Sequence, residues 1–151
     1  MKQVFNVTTP TETEDIGLAL CKALLAQGKK RAFVALYGEM GVGKTAFARG
    51  FGRGLGLDRV KSPTYTIVSE HTGNPLPLFH FDMYRIQDPD DLYSIGYDDY
   101  LARDGFILCE WSERIPEDIP SDALSLLIER TDSDTGRRIT LGGMEIEYPC
   151  P

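Results

Sequence analysis

The residues best suited by type and spacing to do chemistry are Gly38-Glu39-Met40-Gly41-Val42-Gly43-Lys44-Thr45: a glycine, four residues, then Gly-Lys-Thr. This pattern suits phosphate. Gly38, Gly41 and Gly43 let the backbone take conformations closed to other residues, so that successive N–H groups converge on phosphate oxygens. Lys44 then reaches the β- and γ-phosphates of a nucleoside triphosphate, and the Thr45 hydroxyl is a ligand for Mg2+. Glu39, Met40, Val42 and the following Ala46 belong to the same nucleotide-binding stretch.

A phosphate loop only binds until a metal and a positioned water or acceptor are added. Mg2+ beside such a loop is held by the loop hydroxyl and a carboxylate at the end of a neighbouring buried strand. Two carboxylates have that setting. Glu110 follows the apolar run Gly105–Cys109, and Asp82 closes the run that starts at Leu78. Holding the metal and orienting the attacking water divide between Asp82 and Glu110, in either order. Thr64, ahead of a strand after a long connection, stands where a threonine sensing the γ-phosphate would, and bend chemistry after Ser62-Pro63 accounts for it equally. His80 shares a strand face with Asp82 by the two-residue period and reads as a packed, hydrogen-bonded histidine rather than a catalytic one. Trp111 abuts Glu110 and is either a wall of the nucleotide site or a core residue. Arg85 and Arg114 follow the two carboxylates and either pair with them or face phosphate, the surface ion pair being the favoured reading.

Several elements must position these groups. Arg31–Tyr37 is a buried strand feeding the loop, and the helix from Lys44 to about Gly54 carries Ala46, Phe47, Gly50 and Phe51 at helical spacing. Its glycines, Gly50, Gly52 and Gly54, each cost roughly 1 kcal/mol relative to alanine, so packing must hold it together. Upstream, Val4–Val7 reads as a strand. Thr11 with Glu14 reads as a capping box opening a helix, whose stripe of Ile16, Ala19, Leu20, Ala23 and Leu24 ends at Gly28. Downstream, a strand from Tyr65 to about His71 and its partner Leu78–Asp82 flank Gly73-Asn74-Pro75 as a hairpin. Asp88 caps a helix with Pro89 in its first position. The acidic stretch from Asp90 to Leu101 forms one or two short helices broken near Gly96, and Gly105–Cys109 is a strand buried on both faces. Leu124–Ile128 and Arg137–Leu141 are late strands, and the tail from Gly142 has little to pack against. Residues 1–143 make one domain and 144–151 a short C-terminal tail.

The chain has 151 residues and a net charge of −7, unevenly spread. Residues 44–85 hold six basic and three acidic groups, whereas residues 88–118 hold two basic and ten acidic ones. An acidic surface repels nucleic acid, so a role with RNA is expected to be indirect. Cys21, Cys109 and Cys150 are odd in number and widely spaced, as reduced thiols of a cytosolic protein are, and Cys109 reads as a small buried hydrophobe. Neither a leader nor a membrane-spanning run is apparent, so a cytoplasmic location is expected.

Four landmarks in this order, Gly38 to Thr45, Ser62-Pro63-Thr64-Tyr65-Thr66, His80-Phe81-Asp82-Met83-Tyr84-Arg85 and Glu110-Trp111-Ser112-Glu113-Arg114, resemble the TsaE (YjeE) family across nearly the whole chain. Asp88-Pro89 with Leu92, Ile95-Gly96 and Asp99-Tyr100-Leu101 also resembles the family's acidic helical segment. The resemblance implies an α/β architecture: a P-loop NTPase-like three-layer fold with a central mixed sheet flanked by helices. It implies ATP and Mg2+ at Lys44 and Thr45, functional carboxylates at Asp82 and Glu110, Thr64 and Trp111 near the nucleotide, and Thr9 to Thr11 near the base. It further implies an ATPase acting on a complex of TsaD and TsaB, needed to place threonylcarbamoyl on adenosine 37 of tRNAs that read codons beginning with A. Rival readings are a small-molecule kinase and a nucleotide switch that does not hydrolyse. One departure stands out: the family commonly has a second hydroxyl residue where this chain has Ala46, which removes a side-chain contact to the α-phosphate.

Overall fold

The computed structural model describes residues 2–61, 63 and 66–148. The readings placed on Thr64 and Cys150 lie outside the described residues. Seven strands form one sheet: β1 (Lys2–Val7), β2 (Arg31–Tyr37), β3 (Val68–His71), β4 (Leu78–Asp82), β5 (Gly105–Glu110), β6 (Leu124–Arg130) and β7 (Arg137–Gly142), in the spatial order β1-β7-β6-β2-β5-β4-β3. Its centre is parallel, β6 beside β2, β2 beside β5 and β5 beside β4, while β1, β7 and β3 pair antiparallel at the flanks. The sheet is therefore mixed.

Helices cover both faces. The long α1 (Pro10–Ala26) and the loop helix α2 (Lys44–Arg53) pack with Val34, Leu36, Leu78, Phe106, Leu108 and Leu126 in one core cluster. The short α3 (Asp90–Ser94) and α4 (Tyr97–Ala102) sit over Phe33, Ala35, Phe79, Phe81, Ile107 and Cys109 in the other. Alternation along β2, β4 and β5 sends successive side chains to opposite clusters, giving three layers around a doubly buried sheet. Cys109 is one of those core residues and is fully buried, as expected of a small hydrophobe. Among the described residues no helix is long and apolar enough to cross a membrane.

Four local expectations change. One is at α3, which starts at Asp90 with Pro89 in the cap position rather than in the first helical one, while Asp88 Oδ1 accepts from the Asp90 N–H at 2.8 Å. Of the other three, the first concerns the start of α1: the cap is Thr9, not Thr11, because Pro10 occupies the first helical position, where its missing N–H costs nothing. Thr9 Oγ1 accepts from the Glu12 N–H at 3.2 Å, and Glu12 Oε1 reaches back to the Thr8 N–H at 3.1 Å. The second concerns β3, which begins at Val68, after Thr66 Oγ1 has donated to the Val68 carbonyl at 3.1 Å. That side-chain bond competes with extension of the ladder. The third concerns the tail, which is packed rather than loose. Ile146 is buried, Met144 and Tyr148 pack on the first cluster, and Tyr148 meets Phe5 edge-on at 5.5 Å. Gln3 holds Ile146 by both of its backbone groups, donating to its carbonyl and accepting from its N–H, each at 2.8 Å.

Candidate functional site

Because β2, β4, β5 and β6 run parallel, their carboxyl ends share one edge of the sheet, the usual place for a ligand in such folds. Residues 38–43 leave β2 at that edge. Gly38, Gly41 and Gly43 have φ of 142°, 75° and 125°, and a Cβ on Gly38 would lie 2.7 Å from the Ile128 carbonyl oxygen. Only glycine meets both demands. The first turn of α2 has no side-chain cap, so its N–H groups remain donors for an anion at the helix start. Lys44 is buried and folds back on the loop, with Nζ donating to the Gly38 carbonyl at 2.8 Å and lying 4.7 Å from the centre of the Trp111 ring.

Asp82 and Glu110 end their strands in register with one another. Adjacent strands lie about 4.8 Å apart, so two carboxylates leave the sheet side by side. One oxygen of Asp82 accepts from the Tyr84 N–H at 2.9 Å, and the Glu110 carbonyl accepts from the Met83 N–H at 3.0 Å, which ties the two strand ends together. Behind them lies His80, with no exposed surface, its Nε2 at 2.6 Å from Glu110 Oε2. Met40, Gly41, Gly43, Lys44, Thr45, Asp82, Glu110 and Trp111 together wall a cleft of about 340 Å³. Glu39 is exposed on the loop beside it, and Ala46 is buried in the first turn of α2.

Trp111 adopts φ 57° and turns the chain out of β5 into a 3-10 turn, Ser112–Arg114, where Ser112 Oγ donates to the Cys109 carbonyl at 2.7 Å. Tyr84 lies against the Trp111 ring at 4.9 Å, and the Arg114 guanidinium lies 5.2 Å over Tyr84, so this arginine packs on an aromatic face. Burial pushes the Cys109 thiol up to about 12, which keeps it protonated and unsuited to nucleophilic attack.

A second cavity, of about 210 Å³, adjoins the loop on its other side and is lined by Thr8, Thr9, Pro10, Thr13, Val42, Asp134, Thr135 and Arg137 among others. Of the stretch Thr9 to Thr11, therefore, Thr9 and Pro10 line this space. Sequence reasoning passed over two arginines here: Arg137 Nε donates to the Val42 carbonyl at 3.0 Å, and Arg130 Nη2 to the Met40 carbonyl at 3.4 Å. Their only signal was their position at the end of β6 and the start of β7, flanking one turn. Likewise, the His80 pairing with Glu110 depends on β4 and β5 being neighbours, which no local pattern states.

Three loop glycines with positive φ and a buried lysine are the groups that could hold a polyphosphate. The paired carboxylates Asp82 and Glu110 are the groups that could hold a divalent cation. Among the described residues no group of three His, Cys, Asp or Glu side chains forms a cation cage. A cation here would take its remaining ligands from phosphate oxygens and water, as Mg2+ does.

Known proteins resemble this chain over most of its length. The family model described as "Threonylcarbamoyl adenosine biosynthesis protein TsaE" matches residues 7–139. The chain is 37% identical over 150 residues to the "tRNA threonylcarbamoyladenosine biosynthesis protein TsaE" of Bacillus subtilis, covering 98% of this chain and 90% of that protein. It is 39% identical over 114 residues to the protein of the same name in Haemophilus influenzae, covering 75% and 71%. Its fold matches the crystal structure of YdiB from Bacillus subtilis with a TM-score of 0.78 and 32% identity, covering 93% of this chain and 84% of that one. The chain belongs to the TsaE family.

Proposed function

We propose that this protein hydrolyses ATP with Mg2+ at the cleft between the glycine loop and the ends of β4 and β5. The observation that carries the reading is the convergence of Lys44, Thr45, Asp82 and Glu110 on that one cleft, at the carboxyl edge of a parallel sheet. The loop N–H groups and Lys44 bind the phosphates. Thr45 and one of the two carboxylates would hold the metal, while the other carboxylate orients the attacking water. Mg2+, when bound, supplies charge neutralisation for the phosphate oxygens. Trp111 walls the same cleft, with its ring beside the Lys44 ammonium. Thr9 and its neighbours, across the loop, offer the space for the base.

Phosphoryl transfer of this kind rests on positioning and neutralised charge, and a cationic group supplied by a partner can be worth ~10³- to 10⁵-fold in rate. The turnover is accordingly slow alone and raised by TsaD and TsaB, in the formation of threonylcarbamoyl on N6 of adenosine 37 in tRNA. Family membership supports that biology, and the acidic run over residues 88–118 suits contact with protein rather than with tRNA. A cytoplasmic location is part of the same proposal; among the described residues no helix is long and apolar enough to cross a membrane.

The test is ATP hydrolysis by the purified chain, with and without TsaD and TsaB from the same source. Wild type should turn over slowly and be stimulated, Lys44→Ala should lose nucleotide binding, and Glu110→Ala should lower turnover by on the order of 10²-fold or more with a smaller loss of affinity. Unchanged turnover in Glu110→Ala rejects its role. Transfer of the γ-phosphate to a metabolite would instead make the protein a kinase.

A further inference from the structure

We propose that His80 is the positioning residue for Glu110, holding its carboxylate in one orientation at the cleft without touching substrate. This rests on the ATPase reading above and assigns a group that reading leaves unused. His80 has no exposed surface and sits in a strand whose neighbours Leu78, Phe79 and Phe81 are apolar and equally buried. Burying an imidazole there carries a desolvation penalty that a leucine of similar volume would not. The ring's position is therefore explained by its hydrogen bond and not by packing.

That bond is specific. His80 Nε2 is 2.6 Å from Glu110 Oε2, and His80 Nδ1 has no partner among the described residues. Against an ionised carboxylate, which can only accept, Nε2 is the donor, and in that state the ring commits its donor to this one oxygen. The backbone of Glu110 is already fixed by the β5 ladder and by the Met83 N–H on its carbonyl at 3.0 Å. A glutamate side chain has three further torsions, and His80 restrains their far end. The sheet makes this possible: His80 stands two residues before Asp82 on the same face of β4, and Asp82 is in register with Glu110 on β5. The ring thus sits one step behind both strand ends and is absent from the walls of the cleft, so whatever it does for the reaction passes through Glu110. Supporting partners of this kind change metal affinity or activity by roughly 10- to 100-fold when removed.

The experiment compares His80→Leu, which keeps the volume and removes the donor, with His80→Gln, whose amide nitrogen extends to about the same place as Nε2. Turnover and KM for ATP, the Mg2+ dependence of nucleotide binding read by Trp111 fluorescence, the melting temperature and a crystal structure of each variant are measured. We expect His80→Leu to lose roughly 10- to 100-fold in turnover or in the Mg2+ midpoint, with little change in KM. His80→Gln should recover most of that loss, and the Glu110 side chain should leave its present rotamer in His80→Leu alone. The proposal is overturned if His80→Leu matches wild type in both quantities, if Glu110 keeps its rotamer there, or if His80→Gln is as impaired as His80→Leu while both melt equally early. The Glu110 rotamer is read without nucleotide, so a wild-type chain that failed to bind ATP would refute the ATPase reading and leave this one separately decided.

Discussion

Trp111 sits at φ 57° and ψ 41°, a left-handed conformation that costs a residue with a Cβ roughly 1–2 kcal/mol. The bend ends β5 at Glu110 and lays the indole face on the Lys44 ammonium, 4.7 Å from the ring centre. Such a contact returns about 0.5–1 kcal/mol or more when partly desolvated, and the Gly38 carbonyl supplies a second partner to the same ammonium at 2.8 Å. Both contacts compete with phosphate for one cation. Nucleotide binding should therefore pull Lys44 away from the ring, and Trp111, the only tryptophan, should report it. We expect intrinsic fluorescence to change on adding ATP with Mg2+. In Lys44→Ala the resting emission should already differ from wild type, with no further response to nucleotide. An unaltered spectrum in the wild type at saturating ATP would show that the lysine does not leave the ring.

At the scale of elements, the glycines of α2 explain how a helix of poor propensity is kept. A Cβ on Gly50 would fall 1.8 Å from the Glu14 carbonyl oxygen, and one on Gly17 would fall 2.3 Å from the Phe47 carbonyl oxygen, so α1 and α2 cross with their backbones in contact. Arg49 and Arg53 both reach Glu14 across this crossing, at 3.2 and 3.1 Å, though each is half exposed and adds little. Gly50→Ala sets two effects against each other: alanine is favoured by about 1 kcal/mol in a helix, yet overpacking typically costs about 1–3 kcal/mol, and here the obstacle is main chain that cannot rotate aside. We expect the clash to win, with a net loss of about 1–3 kcal/mol in urea unfolding. ATP binding should weaken too, because α2 carries the loop lysine at its first residue. A more stable Gly50→Ala protein would mean the helices part freely. The strand, loop and helix around this site were legible beforehand because each signal is local: an apolar run, a spaced glycine motif, a helical stripe. The capping residue was legible in principle as well, since Thr9-Pro10 and Glu12 carry the signal that Thr11 and Glu14 were given.

What stayed hidden belongs to the whole molecule. Nothing local orders the strands β1-β7-β6-β2-β5-β4-β3, and that order is what puts His80 beside Glu110 and Arg137 beneath the loop. The same holds for the C-terminal segment, whose few apolar residues look dispensable until β1 is known to lie at the sheet edge, where Gln3 grips Ile146 across 143 positions of sequence. Ile146 completes the cluster beneath α1, and Tyr148 closes against Phe5. Ile146→Ala should cost about 2–5 kcal/mol by loss of burial and the cavity left behind. Removing everything after Gly143 should cost at least as much, because Gln3 also loses both partners, each bond being worth about 0.5–1.5 kcal/mol net. Each kcal/mol lowers the melting temperature of a chain of this size by about 2–4 °C, so calorimetry should show a drop of roughly 4–20 °C. The segment lines neither cavity at the loop, and ATP affinity measured well below the new midpoint should be that of wild type. A truncated chain that melted with the intact one would mean that the edge strand is held by β7 alone and that the closing residues add nothing to the core.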